Sequence, residues 1–500
     1  MVTAKEYDGN NQLLKITYPS GRVVNYERFP NGQIKNVKVA SVTTPVVTLV
    51  TSEPFGPPLD IQYGNGLRQA RVSDYAGSPL LIYLQDTTAP ILDVDVKFYT
   101  PDSVGNLTKI QDNINTSYTR DYEYDNLNRL TWDSKASTAK PTYLYDENGN
   151  RKYRRPGAYP VQNRYYSSNS NREDTTSYDG MGNTLASLAT YQADGRLSSV
   201  TDPGTADLLA LTYNGFGELA RTRQTHANPC NNQTTLLALD DFSFSPDGRA
   251  LSIKTMNAGS TTTDYIWLDN LPVAQIQDKR DTSNNLISST VTYLHADHLG
   301  TPLIGTTATR QVVWRNRPDA FGIPEMSGTA DLVRLRFPGQ IALGVAGLNY
   351  NYFRDYQPDL GRYVESDPIG LRGGVNTYTY VGNNPLSNID PLGLYGSQSC
   401  NYYAQACAAN GGSYECRVAS RACKIFPKKQ NYFDCARQCL QERHKKRQPE
   451  PNSCSADNNI GLGDNAADHA KCLSGCMANP ENPYDPKGPD LPDADVDLFK

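Results

Sequence analysis

Residues 143–152 read YLYDENGNRK, and this pattern indicates how most of the chain folds. Tyr143 and Tyr145 are separated by one residue that points to the opposite face, as in a β-strand. The DENGN sequence that follows supplies a turn, because Asp, Asn and Gly tolerate positive φ angles. A returning strand then begins at Arg151. The stretch therefore predicts a strand–turn–strand hairpin.

The same theme recurs at irregular spacing along the first half of the chain. Further copies are YDGNNQLLKI from Tyr7, YTPDSVGNLTKI from Tyr99, YEYDNLNRLT from Tyr122, YDGMGNTL from Tyr178, YQADGRLSSV from Tyr191, YNGFGELART from Tyr213 and FSFSPDGRAL from Phe242. Repeated hairpins of this kind predict a long antiparallel ribbon, which must curl or close to protect its edges. A sugar-binding role for the tyrosines is the competing interpretation, and no specific motif favours it.

The composition agrees with extended sheet. The 500 residues include 33 Tyr against 12 Phe and 3 Trp, and the length allows two to four domains. Tyrosine favours strands and keeps a polar tip on a bulky ring. The hydrophobic fraction is 38% and the mean hydropathy is −0.59. These values predict a mainly β protein with an amphipathic lining.

Charge and hydropathy exclude some classes of function. The net charge of −5 gives no general electrostatic case for nucleic-acid binding. No apolar run reaches about 18 residues, so no membrane span is predicted. The first residues lack a basic segment followed by an apolar one, so no signal peptide is evident. If the protein is secreted or delivered to a target cell, we expect it to leave by a route that does not read an N-terminal signal.

The segment 293–394 carries a second set of motifs. In chain order they are YLHADHLGTPLIGTT (Tyr293–Thr307), VVWRNRPDAFG (Val312–Gly322), RFPGQ (Arg336–Gln340), GLNYNYFRDYQPDLGRYVESDPIGLRGG (Gly347–Gly374) and YVGNNPLSNIDPLGL (Tyr380–Leu394). With the Tyr-Asp repeats, they resemble the RHS proteins, which include bacterial polymorphic toxins and the C components of Tc insecticidal toxin complexes. The resemblance implies a β-strand shell that spirals into a hollow cocoon. It also implies a C-terminal core that plugs the shell and cuts off a variable toxin.

The pentapeptide Asp-Pro-x-Gly-Leu occurs twice, beginning at Asp367 and Asp390. Val375–Val381 alternates as a strand and GNNP follows as a turn, so a hairpin can bring the two aspartates together. Two adjacent carboxyls cannot both ionise cheaply, which leaves an acid beside a base, as in aspartic proteases. By resemblance, the scissile bond joins Leu394 to Tyr395. The alternative is that both copies are only tight turns.

Two further groups of residues in the predicted core are candidates for a functional role. His295 and His298 could form a metal or acid–base pair, but no third ligand is evident and a structural role is favoured. Arg354 and Arg362 flank the aspartate segment and are expected to pair with acidic groups or order the plug, without a catalytic role. No metal site and no cofactor are expected.

The composition changes at Tyr395. Of the ten cysteines, only Cys230 precedes this residue. Eight disulfide candidates fall in four pairs, each spaced so that both members lie on one helix face: Cys400 and Cys407, Cys416 and Cys423, Cys435 and Cys439, and Cys472 and Cys476. Two facing helices that each carry such a pair suggest a hairpin stapled by two disulfides, and the spacing does not fix which cysteines pair. Disulfides would require an oxidising compartment, and Cys454 is left over. The alternative is zinc held with His444 or His469.

The sequence therefore predicts four segments with different roles. They are a repeat β-shell (1–290), a core with the self-cleavage site (291–394), a small α-helical cysteine-rich domain (395–479) and a Pro/Asp-rich disordered tail (480–500). We expect a toxin carrier that releases its own C-terminal domain as cargo by aspartyl self-cleavage after Leu394. Candidate partners are an immunity protein and a type VI or Tc-like secretion machinery. The alternatives are a non-catalytic surface or adhesion scaffold and an inactive, truncated remnant.

Overall fold

A computed structural model describes residues 4–394 except for 11, 41–43, 53–57, 75–76, 88–91, 136–139, 141, 156–161, 168–169, 228–232 and 330–331. The chain divides into two units, Met1–Gly396 and Ser397–Lys500, and every described residue lies in the first. Tyr395, all the cysteines and the predicted helical domain lie outside the described residues. The three borders between the four predicted segments stay predictions.

The first large sheet has twelve antiparallel strands in chain order. They are β1 (Ala4–Tyr7), β2 (Leu13–Thr17), β3 (Val23–Arg28), β4 (Ile34–Val39), β5 (Val47–Ser52), β6 (Pro58–Tyr63), β7 (Leu67–Ser73), β8 (Pro79–Asp86), β9 (Leu92–Pro101), β10 (Leu107–Asp112), β11 (Arg120–Tyr124) and β12 (Leu130–Asp133). A three-stranded sheet follows, with β13 (Tyr143–Tyr145), β14 (Arg151–Arg154) and β15 (Gln162–Asn163). Each strand pairs with the next one along the chain.

A second twelve-stranded sheet repeats this order. Its strands are β16 (Thr190–Tyr191), β17 (Leu197–Thr201), β18 (Asp207–Tyr213), β19 (Leu219–Ala227), β20 (Thr234–Phe244), β21 (Ala250–Asn257), β22 (Gly259–Leu268), β23 (Leu271–Arg280), β24 (Leu286–Ala296), β25 (Pro302–Thr306), β26 (Val312–Asn316) and β27 (Met326–Gly328). The last sheet contains β28 (Ile341–Ala342), β29 (Asn349–Asn351), β30 (Arg354–Gln357) and β31 (Arg362–Tyr363). The helices of the described chain are short 3-10 turns at Thr116–Tyr118, Ala186–Leu188, Gly370–Gly373 and Val381–Asn383. The predicted antiparallel β class is confirmed.

In several repeats an aspartate closes the turn. In the opening stretch, Asp146 Oδ1 accepts hydrogen bonds from the backbone N–H groups of Asn148 and Asn150, at 3.0 and 2.8 Å. Gly149 has φ +82°, a conformation that costs a residue with a side chain. The Asp-x-x-Gly-Asn spacing therefore forms a hairpin turn, because the aspartate binds two backbone N–H groups and the glycine adopts the positive φ angle.

Three of the repeat tyrosines join their own hairpin to an earlier one. Their hydroxyl groups donate to the carbonyl of a buried leucine that opens the second strand of an earlier hairpin. Three such hydrogen bonds are Tyr124 to Leu107 (2.9 Å), Tyr145 to Leu130 (2.6 Å) and Tyr213 to Leu197 (2.9 Å). Each ring is thus packed on the sheet while its polar tip is satisfied. Among these residues the recurrent Tyr-Asp pair is structural, as the sequence predicts.

Strands of both large sheets contribute to one hydrophobic core, which includes Val24, Val37, Ile266 and Trp314. Polar contacts also join the two sheets. Tyr18 Oη donates to Tyr265 O at 2.7 Å, and the Arg22 guanidinium lies 2.8 Å from the carboxylate of Asp264.

The strand predicted for Val375–Val381 is wrong. Apart from an isolated bridge between Arg362 and Thr379, this segment is irregular. Val381, the last residue of the predicted strand, has a φ angle of 42°, which a strand cannot adopt, while Gly382 and Asn383, at 63° and 62°, lie in the predicted turn. Its alternating polar side chains bind the turns of the repeats and do not line a sheet face.

Candidate active site

Three buried charged side chains meet beside the end of the described chain. Arg354 begins β30, Asp367 follows β31, and Asp390 lies four residues before Leu394. Arg354 Nη2 is 2.9 Å from Asp367 Oδ2 and 3.4 Å from Asp390 Oδ2. The three residues are 2%, 5% and 3% exposed. The structure thus brings the two predicted aspartates to a single guanidinium nitrogen.

The repeated pentapeptide explains how both carboxylates come to face the arginine. In the first copy, Asp367 Oδ1 accepts the N–H of Ile369 at 3.0 Å. In the second copy, Asp390 Oδ1 accepts the N–H of Leu394 at 2.9 Å. One carboxylate oxygen therefore closes the local turn, and the other is directed to Arg354 in each case.

Arg354 is held by the backbone on both sides of the pair. Its Nε donates to Gly393 O at 2.5 Å, and its Nη1 donates to Thr377 O at 2.9 Å. Gly393 has φ +69°, and a Cβ there would lie 2.6 Å from the carbonyl oxygen of Asn351. Glycine is thus required one residue before Leu394, where the chain passes closest to the guanidinium.

Tyr363 completes the surroundings of Asp390. Its hydroxyl donates to Asp390 Oδ2 at 2.7 Å, and its ring lies 3.7 Å from the Arg354 guanidinium carbon. Burial raises the pKa of the Tyr363 hydroxyl well above its usual value, and the Asp390 carboxylate raises it further. Tyr363 is therefore a neutral hydrogen-bond donor at physiological pH.

The charge balance of the cluster favours one bound proton. Burial raises the pKa of Asp367 to about 6; Arg354 opposes this rise, and Asp390 adds to it. A buried arginine with one ionised and one protonated carboxyl has no net charge, which avoids a large desolvation penalty. The arrangement offers a proton donor and a proton acceptor within one site.

Comparisons with known proteins agree with the architecture. No family model matches the chain. Toxin protein Tse5 of Pseudomonas aeruginosa is 26% identical over 352 residues, which cover 59% of this chain and 27% of that protein. Double-stranded DNA deaminase toxin A of Burkholderia cenocepacia is 40% identical over 116 residues, covering 22% of this chain and 8% of that protein. A crystal structure of TcdB2–TccC3 without its hypervariable C-terminal region has a TM-score of 0.67 at 20% identity, covering 78% of this chain and 21% of that one. The chain is an RHS/YD-repeat protein.

The described part of this RHS protein has the β-shell fold of the Tc toxin components. The chain spans about a quarter or less of the length of the two curated relatives. In the described residues, no helix is long and apolar enough to cross a membrane.

The other predicted residues of the RHS core lie apart from the aspartates. His295 Nε2 is 2.9 Å from Thr306 Oγ1, and burial followed by Arg315 lowers the pKa of this imidazole to about 3. His298 Nε2 is 2.8 Å from Leu386 O, and its ring packs on Tyr99. Among the described residues, no group of three or more His, Cys, Asp or Glu side chains is placed to hold a metal ion.

Arg354 pairs with acidic groups, as the sequence predicts, whereas Arg362 donates to a backbone carbonyl, Asn171 O, at 2.8 Å. The sequence did not indicate that the acidic partners of Arg354 are the two aspartates of the repeated pentapeptide. The available signal was its position in YFRDY, because a charge inside a tyrosine-rich buried strand requires a partner of opposite sign.

A second carboxyl pair in the RHS core was also missed. Glu365 Oε2 accepts the backbone N–H of Asp355 at 2.7 Å, and both residues are buried. Burial raises the pKa of Asp355 to about 7. Burial, with a further contribution from Asp355, raises the pKa of Glu365 well above its usual value.

This pair makes stability depend on pH. In the unfolded chain both carboxyls lose their protons near pH 4, whereas in the folded chain their raised pKa values keep them protonated to higher pH. The free energy of unfolding therefore falls as pH rises from about 4 through 7. We expect Glu365→Gln to reduce this fall, because one titrating group is removed. Thermal midpoints measured from pH 5 to 8 would check it, with the exposed Glu147→Gln as control. Equal slopes in both variants and the parent would contradict the assignment.

Proposed function

We propose that this RHS protein is a toxin carrier that encloses a C-terminal effector and cuts its own chain after Leu394. The observation that carries the proposal is the cluster of Arg354, Asp367 and Asp390. Two of its side chains bind backbone atoms of Gly393 and Leu394, the two residues that precede the Leu394–Tyr395 bond. Asp390 holds the N–H of Leu394, and Arg354 holds the carbonyl of Gly393. The relatives named as toxins support the carrier role.

The proposed reaction is hydrolysis with the chain as its own substrate. The ionised carboxyl of the pair takes a proton from water, and the water oxygen forms a bond to the Leu394 carbonyl carbon. The protonated carboxyl donates to the carbonyl oxygen. The carbon–nitrogen bond then breaks. The leaving amine of Tyr395 takes the proton that the first carboxyl accepted from water, and the second carboxyl recovers its proton as the new carboxyl group of Leu394 forms. Because the bond is already tethered, positioning supplies part of the rate.

The released piece would be residues 395–500, the cysteine-rich segment. Its activity is left open, since that segment contains no recognisable catalytic motif. We propose that an immunity protein protects the producing cell and that a type VI or Tc-like machinery delivers the shell. Disulfide formation after delivery would be consistent with its cysteine content.

Freshly synthesised full-length chain tests the cleavage. We expect two fragments, residues 1–394 and 395–500, in place of one 55.2 kDa species on a denaturing gel. Mass spectrometry of the fragments should place the new termini at Leu394 and Tyr395. Recovery of intact polypeptide alone would contradict the proposal and favour a non-catalytic scaffold or remnant.

The cleavage rate should fall at alkaline pH. Asp367 must hold its proton for the pair to contain an acid, and its pKa is about 6. Above that pH the protonated fraction drops about tenfold per unit, so the rate should drop in parallel. Cell-free synthesis at pH values from 5 to 8, with the fragments followed over time, would measure this. A rate that is constant or rises between pH 6 and 8 would exclude Asp367 as the acid.

A further inference from the structure

The segment that joins the two pentapeptides binds the turns of three repeats. We call residues 376–388 the linking segment. Its side chains donate to turn atoms through Asn376 to Asn150 Oδ1 (2.7 Å) and Asn148 O (3.2 Å), Asn383 to Gly149 O (2.8 Å), Tyr378 to Gly182 O (2.6 Å), Asn384 to Asn106 Oδ1 (2.7 Å) and Ser387 to Gly105 O (3.4 Å). The turns belong to the hairpins at 102–106, 146–150 and 179–183.

In two of these turns, the side chain of the last asparagine is oriented by hydrogen bonds that do not involve the linking segment. Asn150 Nδ2 donates to Asp146 in its own turn and to Asn171, at 2.8 and 2.9 Å. Its Oδ1 is then directed to the linking segment. Asn106 makes the equivalent set with Asp102 and Asn128, at 3.0 and 2.9 Å. Both amides are buried, so a missing partner would be costly.

The anchored residues are adjacent to the catalytic groups. Thr377 follows Asn376, and its carbonyl accepts from Arg354 Nη1 at 2.9 Å and from the N–H of Asp367 at 2.8 Å. At the other end, Asn384 O accepts the N–H of Asn388 at 3.2 Å, two residues before Asp390. The contacts from the repeats therefore reach both halves of the site through the backbone.

We propose that the turns of the three repeats position the cleavage site, so that the chain cuts itself only after these repeats have folded against the core. The proposal rests on the self-cleavage function and adds its regulation. Asn106, Asn150 and Asn376 are positioning residues that act through Thr377 and the linking segment. Cleavage would in this way be withheld from an incompletely folded shell.

Asn376→Ala and Asn150→Ala test the proposal in the full chain. Each should slow cleavage about 10- to 100-fold, since small displacements of reacting groups have effects of this size. Asn285→Ala is the matched control. Like Asn150→Ala, it loses the side-chain hydrogen bond to its own turn aspartate, here Asp281, but Asn285 is exposed and lies in a different hairpin. The control should cleave at the parent rate.

The pH profile separates positioning from a loss of folding. If Arg354 moves away, its opposition to the Asp367 proton weakens, and the alkaline midpoint of cleavage should shift upward in Asn376→Ala. Absence of cleavage in the parent chain would overturn the proposed function itself. Cleavage in the parent with unchanged rates in both Asn376→Ala and Asn150→Ala, or equal slowing in Asn285→Ala, would overturn this inference alone.

Discussion

Asp367→Asn should leave the chain as a single 55.2 kDa species and slow its cleavage by at least about 100-fold. The amide has nearly the shape of the carboxyl, and its oxygen can still accept the N–H of Ile369. It cannot hold and release the proton that the pair requires. The loss should therefore reflect chemistry more than folding, and the thermal midpoint should stay close to that of the parent chain.

The control for this variant is Asp319→Asn. Asp319 also closes a turn with Oδ1, accepting the N–H of Phe321 at 3.1 Å, and its other oxygen lies 3.4 Å from Arg154. It has the same local chemistry but is not part of the site, so its variant should cleave normally. If Asp367→Asn is processed at the parent rate, the aspartate pair is only a structural ion cluster.

Arg354→Met should destabilise the shell and block cleavage together. The thioether side chain keeps most of the length of the arginine stem but leaves two buried carboxyls without their cation. Removing one member of a buried charge cluster costs about 3–5 kcal/mol. The urea midpoint for unfolding should fall accordingly, and Asp367 should become harder to ionise.

Neutralising the carboxyls tests the cause of that loss. Arg354→Met combined with Asp367→Asn and Asp390→Asn removes the uncompensated charge and should recover much of the lost stability without restoring cleavage. Arg362→Met is the matched single variant, because Arg362 is a buried arginine of the neighbouring strand that contacts tyrosine rings and a carbonyl. Arg362→Met should lower the free energy of unfolding by less than Arg354→Met does. An equal loss in both arginine variants would show that packing, and not charge, dominates.

The hairpins of the repeats could be predicted because the residues that determine each one are neighbours in the chain. The alternation around Tyr143 and the turn at Asp146 are set by neighbours in the chain, so backbone geometry follows from the residues themselves. The meeting of Asp367 and Asp390 was expected from a hairpin with a strand at Val375–Val381, and that strand is absent. The orientation of the two carboxylates follows from the local turns of the repeated pentapeptide. Each turn uses one oxygen and leaves the other for a distant partner.

The contacts of the linking segment and the two partners of Arg354 could not be predicted in this way. The Asn and Tyr side chains of the linking segment alternate as they would in a strand, but their partners are turns 196 to 278 residues earlier, as in Tyr378 to Gly182 and Asn384 to Asn106. Pattern reasoning sees only near neighbours, so it cannot distinguish a strand from a segment whose polar groups bind elsewhere. The role of Arg354 likewise depends on two contacts that only the folded chain brings together.

The tyrosine hydroxyls that reach back to an earlier hairpin have a consequence for how such chains change size. Each bond, such as that from Tyr145 to Leu130, fixes successive units to one another independently of the length of the loop between them. Whole hairpins can then be inserted or deleted while the neighbouring units dock as before. Growth by duplication would leave the cluster of Arg354, Asp367 and Asp390 unchanged, provided that the units touching it are retained.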